Sequence, residues 1–162
     1  MLNLKVEFYL KLIFIISLVS IISAYFIEYI LGHQPCNLCL IERIPYGISI
    51  ILIISNFLLK NNERFIILLL IITFLFSLII SLYHFGIEQG FFEEPTVCGL
   101  KNATDIISKE ELLKQLQEKT ISCKDVTFRI FGLSLTSINI LISFVFSGLL
   151  TKIFISYEKN KL

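Results

Sequence analysis

Hydrophobic residues along this chain gather into four long runs, separated by two short polar breaks and one long one. Leu12 to Ile27 is free of charge and continues past Glu28 to Leu31; Ile44 to Leu59 follows Arg43; Phe65 runs to Ile87 without a formal charge; Ile130 to Thr151 closes the set. At about 1.5 Å of rise per residue, the first two runs need their flanks to cross about 30 Å of hydrocarbon. The pattern predicts helices over about residues 12–31, 44–59 (starting near residue 35), 65–87 and 130–151. The long polar break, residues 88–129, contains "SKEELLKQLQEK", where Ser108 and Glu111 have capping-box spacing and Leu112, Leu113 and Leu116 share one side. That segment reads as a short amphipathic helix lying along a membrane surface. The expected fold class is all-α: a four-transmembrane-helix bundle forming one domain over residues 1–162, with an amphipathic helix in its second extracytoplasmic loop.

Composition turns this pattern into a compartment. Hydrophobic residues make up 56% of the 162 positions, charged residues 17%, and the mean hydropathy is +0.83, which marks an integral membrane protein. Lys5 and Lys11 would suit the basic region of a cleaved signal peptide, but the following run is long and lacks an A-x-A-like site before polar sequence. The net charge of +1 comes from 14 basic and 13 acidic residues spread along the chain, so nothing suggests a nucleic-acid partner.

Four spans put both termini on one face with the turn "KNNER", and the two other connections on the opposite face. Lys and Arg counted over all segments number seven on each face and decide nothing. The short segments do discriminate: the amino-terminal tail and "KNNER" hold four basic residues, while Glu28 to Glu42 holds none. The termini are therefore expected in the cytoplasm. Cys36, Cys39, Cys98 and Cys123 are then expected on the oxidising side, which for a bacterial inner membrane is the periplasm.

The cysteines carry the candidate chemistry. In "QPCNLCLIER", Pro35 suits the first turn of a helix, and Cys36, Cys39 and Arg43 then stand at i, i+3 and i+7 on one face. A helix amino-terminus and a guanidinium one turn deeper both favour a thiolate, so lowered thiol pKa values are expected. Cys-x-x-Cys is the spacing of dithiol redox centres, and a second pair on the same face offers a disulfide for exchange. Cys98 follows Pro95 and precedes Gly99, which places it in an extended, accessible stretch. A structural Cys₄ zinc site would call for a second close pair, but 24 residues separate Cys98 from Cys123, and no metal site is expected. Leu40 stands where haem attachment needs histidine. A purely structural pair of disulfides remains open and leaves Arg43 unexplained.

His84 lies near the outer end of the third span, where an interfacial histidine can hydrogen-bond a ligand oxygen, supply a proton or serve the structure alone. Glu28, Glu42 and Glu88 fall at the same level by topology, placed to anchor the helices or to pair with Arg43 or Arg129.

"PCNLCLIERIPYG", "YHFGIEQGFFEEPTVCGL", "ISC" and "FRIFGLSLTSINILIS" together resemble the disulfide bond formation protein B (DsbB) family over nearly the whole chain. The resemblance implies a four-helix membrane thiol:quinone oxidoreductase that reoxidises a periplasmic DsbA-like thioredoxin-fold oxidase. By the same resemblance, the electrons would pass to ubiquinone or menaquinone in the membrane quinone pool of the lipid bilayer. It further implies that Cys39 engages quinone with Cys36 as its disulfide partner, and that Arg43 contacts the quinone; His84, by its position near the outer end of the third span, is a further candidate for that contact. Cys98 would exchange with the soluble partner and Cys123 would resolve. Two other readings compete: a non-enzymatic membrane scaffold with disulfide-fixed loops, and a quinone reductase of the vitamin K epoxide reductase type. In the latter family the loop pair precedes the Cys-x-x-Cys, the reverse of the order here.

Overall fold

A computed structural model describes residues 2–59, 63–93, 95, 122–124, 128–130 and 132–159. The long helices are α1 (Leu2–Tyr29), α2 (Asn37–Leu59), α3 (Glu63–Glu88) and α4 (Leu135–Lys159). Each is long and apolar enough to cross a membrane, over Val6–Tyr29, Asn37–Leu58, Glu63–Glu88 and Leu135–Ser156. The chain is thus an all-α, four-helix membrane protein. The amphipathic segment expected around residues 108–119 lies outside the described residues, as do Cys98 and most of the long loop.

The helices outrun their hydrophobic cores because polar residues at the ends still satisfy intrahelical hydrogen bonds. Two boundaries differ from the expectation for identifiable reasons. The second helix begins at Asn37, not near residue 35, because Cys36 is its cap: the Cys36 carbonyl accepts from Leu40 N–H at 3.2 Å, and its Sγ accepts from Cys39 N–H at 3.3 Å. Pro35 therefore precedes the cap instead of opening the first turn. The last helix begins at Leu135, not at residue 130, because Arg129–Ile130 (β1) pairs antiparallel with Leu133–Ser134 (β2). Gly132, at φ +84°, makes the reversal between them. Ser134 then caps α4 by accepting from Ser137 N–H at 3.2 Å.

Packing follows the chain around a ring. The most extensive contact is α3 with α4, then α2 with α3 and α1 with α2, while α1 touches α4 only sparingly. Phe74 stands at the centre of the core, edge-on to both Tyr46 at 6.1 Å and Phe146 at 4.9 Å between ring centroids. Paired hydroxyls link helices where side chains are small: Ser17 with Ser49 at 3.0 Å, and Ser77 with Ser143 at 3.0 Å. Ile15, Ile51, Ile79 and Phe144 lie more than half exposed on the outer surface, as lipid-facing side chains must.

At the site end the helices are stopped sharply. After α1, Gly32 adopts φ +73° while His33 N–H reaches back to the Ile27 carbonyl at 3.2 Å, a left-handed helix ending that turns the chain toward Cys36. After α3, Phe91 and Phe92 N–H both bond the Gly86 carbonyl, and the Phe92 ring folds over Gly86.

Candidate functional site

The helix cap described above is the first element of the site. Cys36 is buried at 6% exposure, and its sulfur stands 2.8 Å from that of the half-buried Cys39, both as free thiols. One turn of helix brings them together, because Ncap and the third helical position lie on the same side. The Cys39 thiol hydrogen bond, and after it the His84 imidazole, hold the Cys36 thiol far below its ordinary 9.0, at about 5, although burial opposes the shift. The thiolate therefore belongs to Cys36, and the causes are Cys39 and His84 and not the guanidinium of Arg43.

Arg43 is engaged elsewhere. Its Nη1 pairs with Glu28 Oε2 of α1, and its guanidinium stacks 5.0 Å from the Tyr25 ring centroid. This settles which of the three glutamates partners Arg43. The other two, Glu42 and Glu88, converge on His84.

His84, 1% exposed, is held in a network spanning three helices. Its Nδ1 lies 2.8 Å from Glu42 Oε1 and 3.3 Å from Thr136 Oγ1, and its Nε2 lies 3.6 Å from Cys36 Sγ and 4.0 Å from Glu88 Oε1. A carboxylate only accepts, so Nδ1 carries the proton toward Glu42. Thr136 donates to Glu88 Oε1 at 2.6 Å, and Ser134 to Glu88 Oε2 at 2.7 Å, which fastens the start of α4 to the end of α3. Asn139 Nδ2 donates to Glu42 Oε2 at 2.9 Å and to Ser81 Oγ at 2.7 Å, while its Oδ1 accepts from the Tyr46 hydroxyl. Every polar atom named here has a partner, which is what a low-dielectric interior requires.

A cavity of about 300 Å³ opens on the other side of the cysteines, between α1, α2 and α4. Val19, Ala24 and Ile27 of α1 and Ile138 and Ile142 of α4 form apolar walls. Cys36, Cys39, Glu42, Arg43 and His33 gather at its polar end. An apolar pocket with a few convergent polar groups is the usual form of a small-molecule site, and this one is at the small end of the roughly 300–1,000 Å³ range. His84 is not among the lining residues; it sits behind Cys36. The pocket suits a small, largely apolar molecule with a polar group at one end.

Cys123 is 3% exposed and packs in the same small cluster as Cys36, Leu38 and Ile87. It takes part in a disulfide. Cys98 is outside the described residues, so the site brings together Cys36, Cys39, Arg43, His84 and Cys123, with Arg43 on the cavity side and His84 on the other.

The family model for "Disulfide bond formation protein DsbB" matches residues 7–153. The chain belongs to the DsbB family. Its geometry is thereby that of an oxidoreductase in the membrane machinery of disulfide-bond formation. A relative from Rickettsia prowazekii (strain Madrid E), described as "Uncharacterized protein RP370", is 30% identical over 140 residues, covering 83% of this chain and 81% of its own. No solved structure matches.

Sequence reasoning passed over Asn139, Thr136, Ser134 and Tyr46, and treated Glu42 and Glu88 only as anchors or as partners for Arg43 or Arg129. A signal for them existed. Ser77, Ser81, His84 and Glu88 recur at helical spacing on α3, and Thr136, Asn139, Ser143 and Ser147 do so on α4. Polar stripes on otherwise apolar spans face the bundle interior.

Proposed function

We propose that this DsbB-family chain is a quinone-dependent thiol oxidase that reoxidises a periplasmic thioredoxin-fold dithiol protein. The observation that carries the reading is the placement of the Cys36–Cys39 pair at the polar end of an apolar cavity inside a membrane-spanning bundle. An acceptor dissolved in the bilayer meets a dithiol only at such a place. A bound quinone would take up two electrons and two protons, and Cys39 and Arg43, at the polar end of the apolar cavity, would hold it.

In this reading, a partner dithiol exchanges with the disulfide that Cys98 forms with Cys123. The partner leaves as a disulfide, and the loop pair is left as two thiols. Cys123, packed in the same cluster as Cys36, supports a second exchange in which Cys36–Cys39 is reduced and the loop pair is reoxidised. The Cys36–Cys39 dithiol then returns to a disulfide as two electrons and two protons pass to the quinone. His84 and Glu42 position Cys36, and Arg43, braced by Glu28, holds the acceptor carbonyl. The cysteines face the periplasm of the bacterial inner membrane and both termini face the cytoplasm, as the short-loop charges favour.

Anaerobic mixing of the purified protein with a reduced thioredoxin-fold oxidase and a water-soluble quinone tests this. Quinone absorbance should fall, one equivalent per partner dithiol oxidised. Absence of thiol-dependent quinone loss would sink the enzyme reading and favour a disulfide-fixed scaffold.

A further inference from the structure

We propose that the dithiol form of this protein holds one zinc-like, thiophilic divalent cation between Cys36 Sγ, Cys39 Sγ and His84 Nε2, and that the ion blocks turnover until it is removed. The three donor atoms lie within 4.8 Å of one another, and they come from two helices already locked together. Zinc takes thiolate at about 2.3 Å and imidazole nitrogen at about 2.0–2.1 Å in a tetrahedron, which sets a sulfur-to-nitrogen separation of about 3.6 Å across the metal. Cys36 Sγ and His84 Nε2 are 3.6 Å apart. The same geometry asks for about 3.8 Å between two sulfurs. The observed 2.8 Å must therefore widen by about 1 Å, which a rotation of the partly exposed Cys39 side chain can supply.

The surroundings strengthen the assignment. Metal-bound histidine generally donates its other ring N–H to a carboxylate, which fixes the tautomer and aims the bare nitrogen at the metal. Glu42 does this to His84 Nδ1 at 2.8 Å, and Asn139 in turn holds Glu42 at 2.9 Å. Cys36 and Cys39 both line the cavity, so an ion has a way in. This set differs from a four-cysteine site, since Cys98 and Cys123 take no part.

Binding moves no electrons: Zn²⁺ displaces the Cys39 thiol proton and the proton held between Cys36 Sγ and His84 Nε2, and forms two Zn–S bonds and one Zn–N bond. The disulfide form has no thiolate to offer, so the site exists only after reduction. An occupied site ties up both sulfurs and prevents their reoxidation. The inference concerns the dithiol alone and holds whatever the electron acceptor is.

The test uses the full chain in lipid nanodiscs with Cys98→Ala and Cys123→Ala, so that one thiol pair remains. Zinc is titrated against a chromophoric chelator under a non-thiol reductant, and again after oxidation. We expect one equivalent per chain in the dithiol state and at least about 100-fold weaker binding in the disulfide state. Glu42→Gln should weaken binding about 10- to 100-fold by loosening His84, and His84→Gln should do so at least as much. Should His84→Gln fail to fold, zinc-edge X-ray absorption on the chain with His84 intact reads the ligands directly. Two sulfurs with one or two nitrogen or oxygen neighbours support the site. No binding by the dithiol form, equal binding by both redox forms, or a shell without two sulfurs overturns it. Because binding is measured without quinone or partner, a failure of quinone turnover would leave this result standing.

Discussion

The depressed Cys36 thiol yields a prediction in which two large effects nearly cancel. At pH 7 an ordinary thiol at 9.0 is about 1% thiolate, whereas one at about 5 is about 99% thiolate, a gain of about 100-fold in the reactive species. Nucleophilicity falls with basicity by a Brønsted coefficient of about 0.4–0.5, so four units cost roughly 40- to 100-fold in intrinsic reactivity. The net rate at neutral pH should thus lie within a few-fold of an unperturbed thiol, and a single measurement there would miss the effect. The pH profile will not. In the dithiol protein lacking Cys98 and Cys123, exchange with a small aromatic disulfide should stay flat from pH 8 down and drop only near pH 5. Cys39→Ala removes the largest cause and should move the midpoint upward, toward 9.0; His84→Gln should move it up by less. A wild-type midpoint between 8 and 9 would refute the assignment of the thiolate to Cys36. A midpoint near 5 that ignores both substitutions would show that the hydrogen bonds from Cys39 and His84 are not its cause.

Arg43→Leu removes a charge-assisted contact worth about 1.5–3 kcal/mol and should raise the quinone KM roughly 10- to 150-fold in steady-state assays; an unchanged KM would reduce Arg43 to an anchor for Glu28. Gly86→Ala would put a methyl 2.3 Å from Phe92 Cδ2, so thermal unfolding should show a loss of about 1–3 kcal/mol that Phe92→Ala relieves; full stability of the single variant would mean that Phe92 moves freely. In Cys123→Ala, the Cys98 thiol should form a mixed disulfide with the oxidised partner that persists on non-reducing gels and vanishes on adding Cys98→Ala. Trapping through Cys36 instead would reverse the order of electron flow. In a cysteine-free background, a reporter at Thr104 should react with impermeant maleimide in intact cells, and one in "KNNER" should not; the opposite pattern would put the cysteines on the reducing face.

The helices were legible in the sequence because lipid imposes a simple rule: a span must be long and apolar, and these four are. Their ends were less so. Ile130 continues the apolar run without a break, and nothing local announces that it pairs with Leu133 instead of opening the helix. Cys36 looked like a first-turn residue because cysteine is not a usual cap, yet its sulfur accepts from the Cys39 amide. Within the site, spacing along one helix placed Cys36 beside Cys39 and Arg43 on their face. It could not choose partners across helices: whether Arg43 would meet Glu28, and His84 meet Glu42, depends on how α1 and α3 rotate about their axes. That rotation is set by packing around residues such as Phe74, which no local pattern encodes.

Cys36 has two duties that cannot be separated. The sulfur proposed to exchange electrons also closes the first turn of α2, accepting a backbone proton that a negative acceptor holds about twice as strongly as a neutral one. Oxidation to the disulfide removes that charge, and with it part of what secures the turn. The sulfur–sulfur bond formed in the same step spans that turn from Cys36 to Cys39, so one helix end trades a charged cap for a covalent clasp each time the pair is oxidised. Amide exchange at Cys39 reads which of the two holds the turn more firmly.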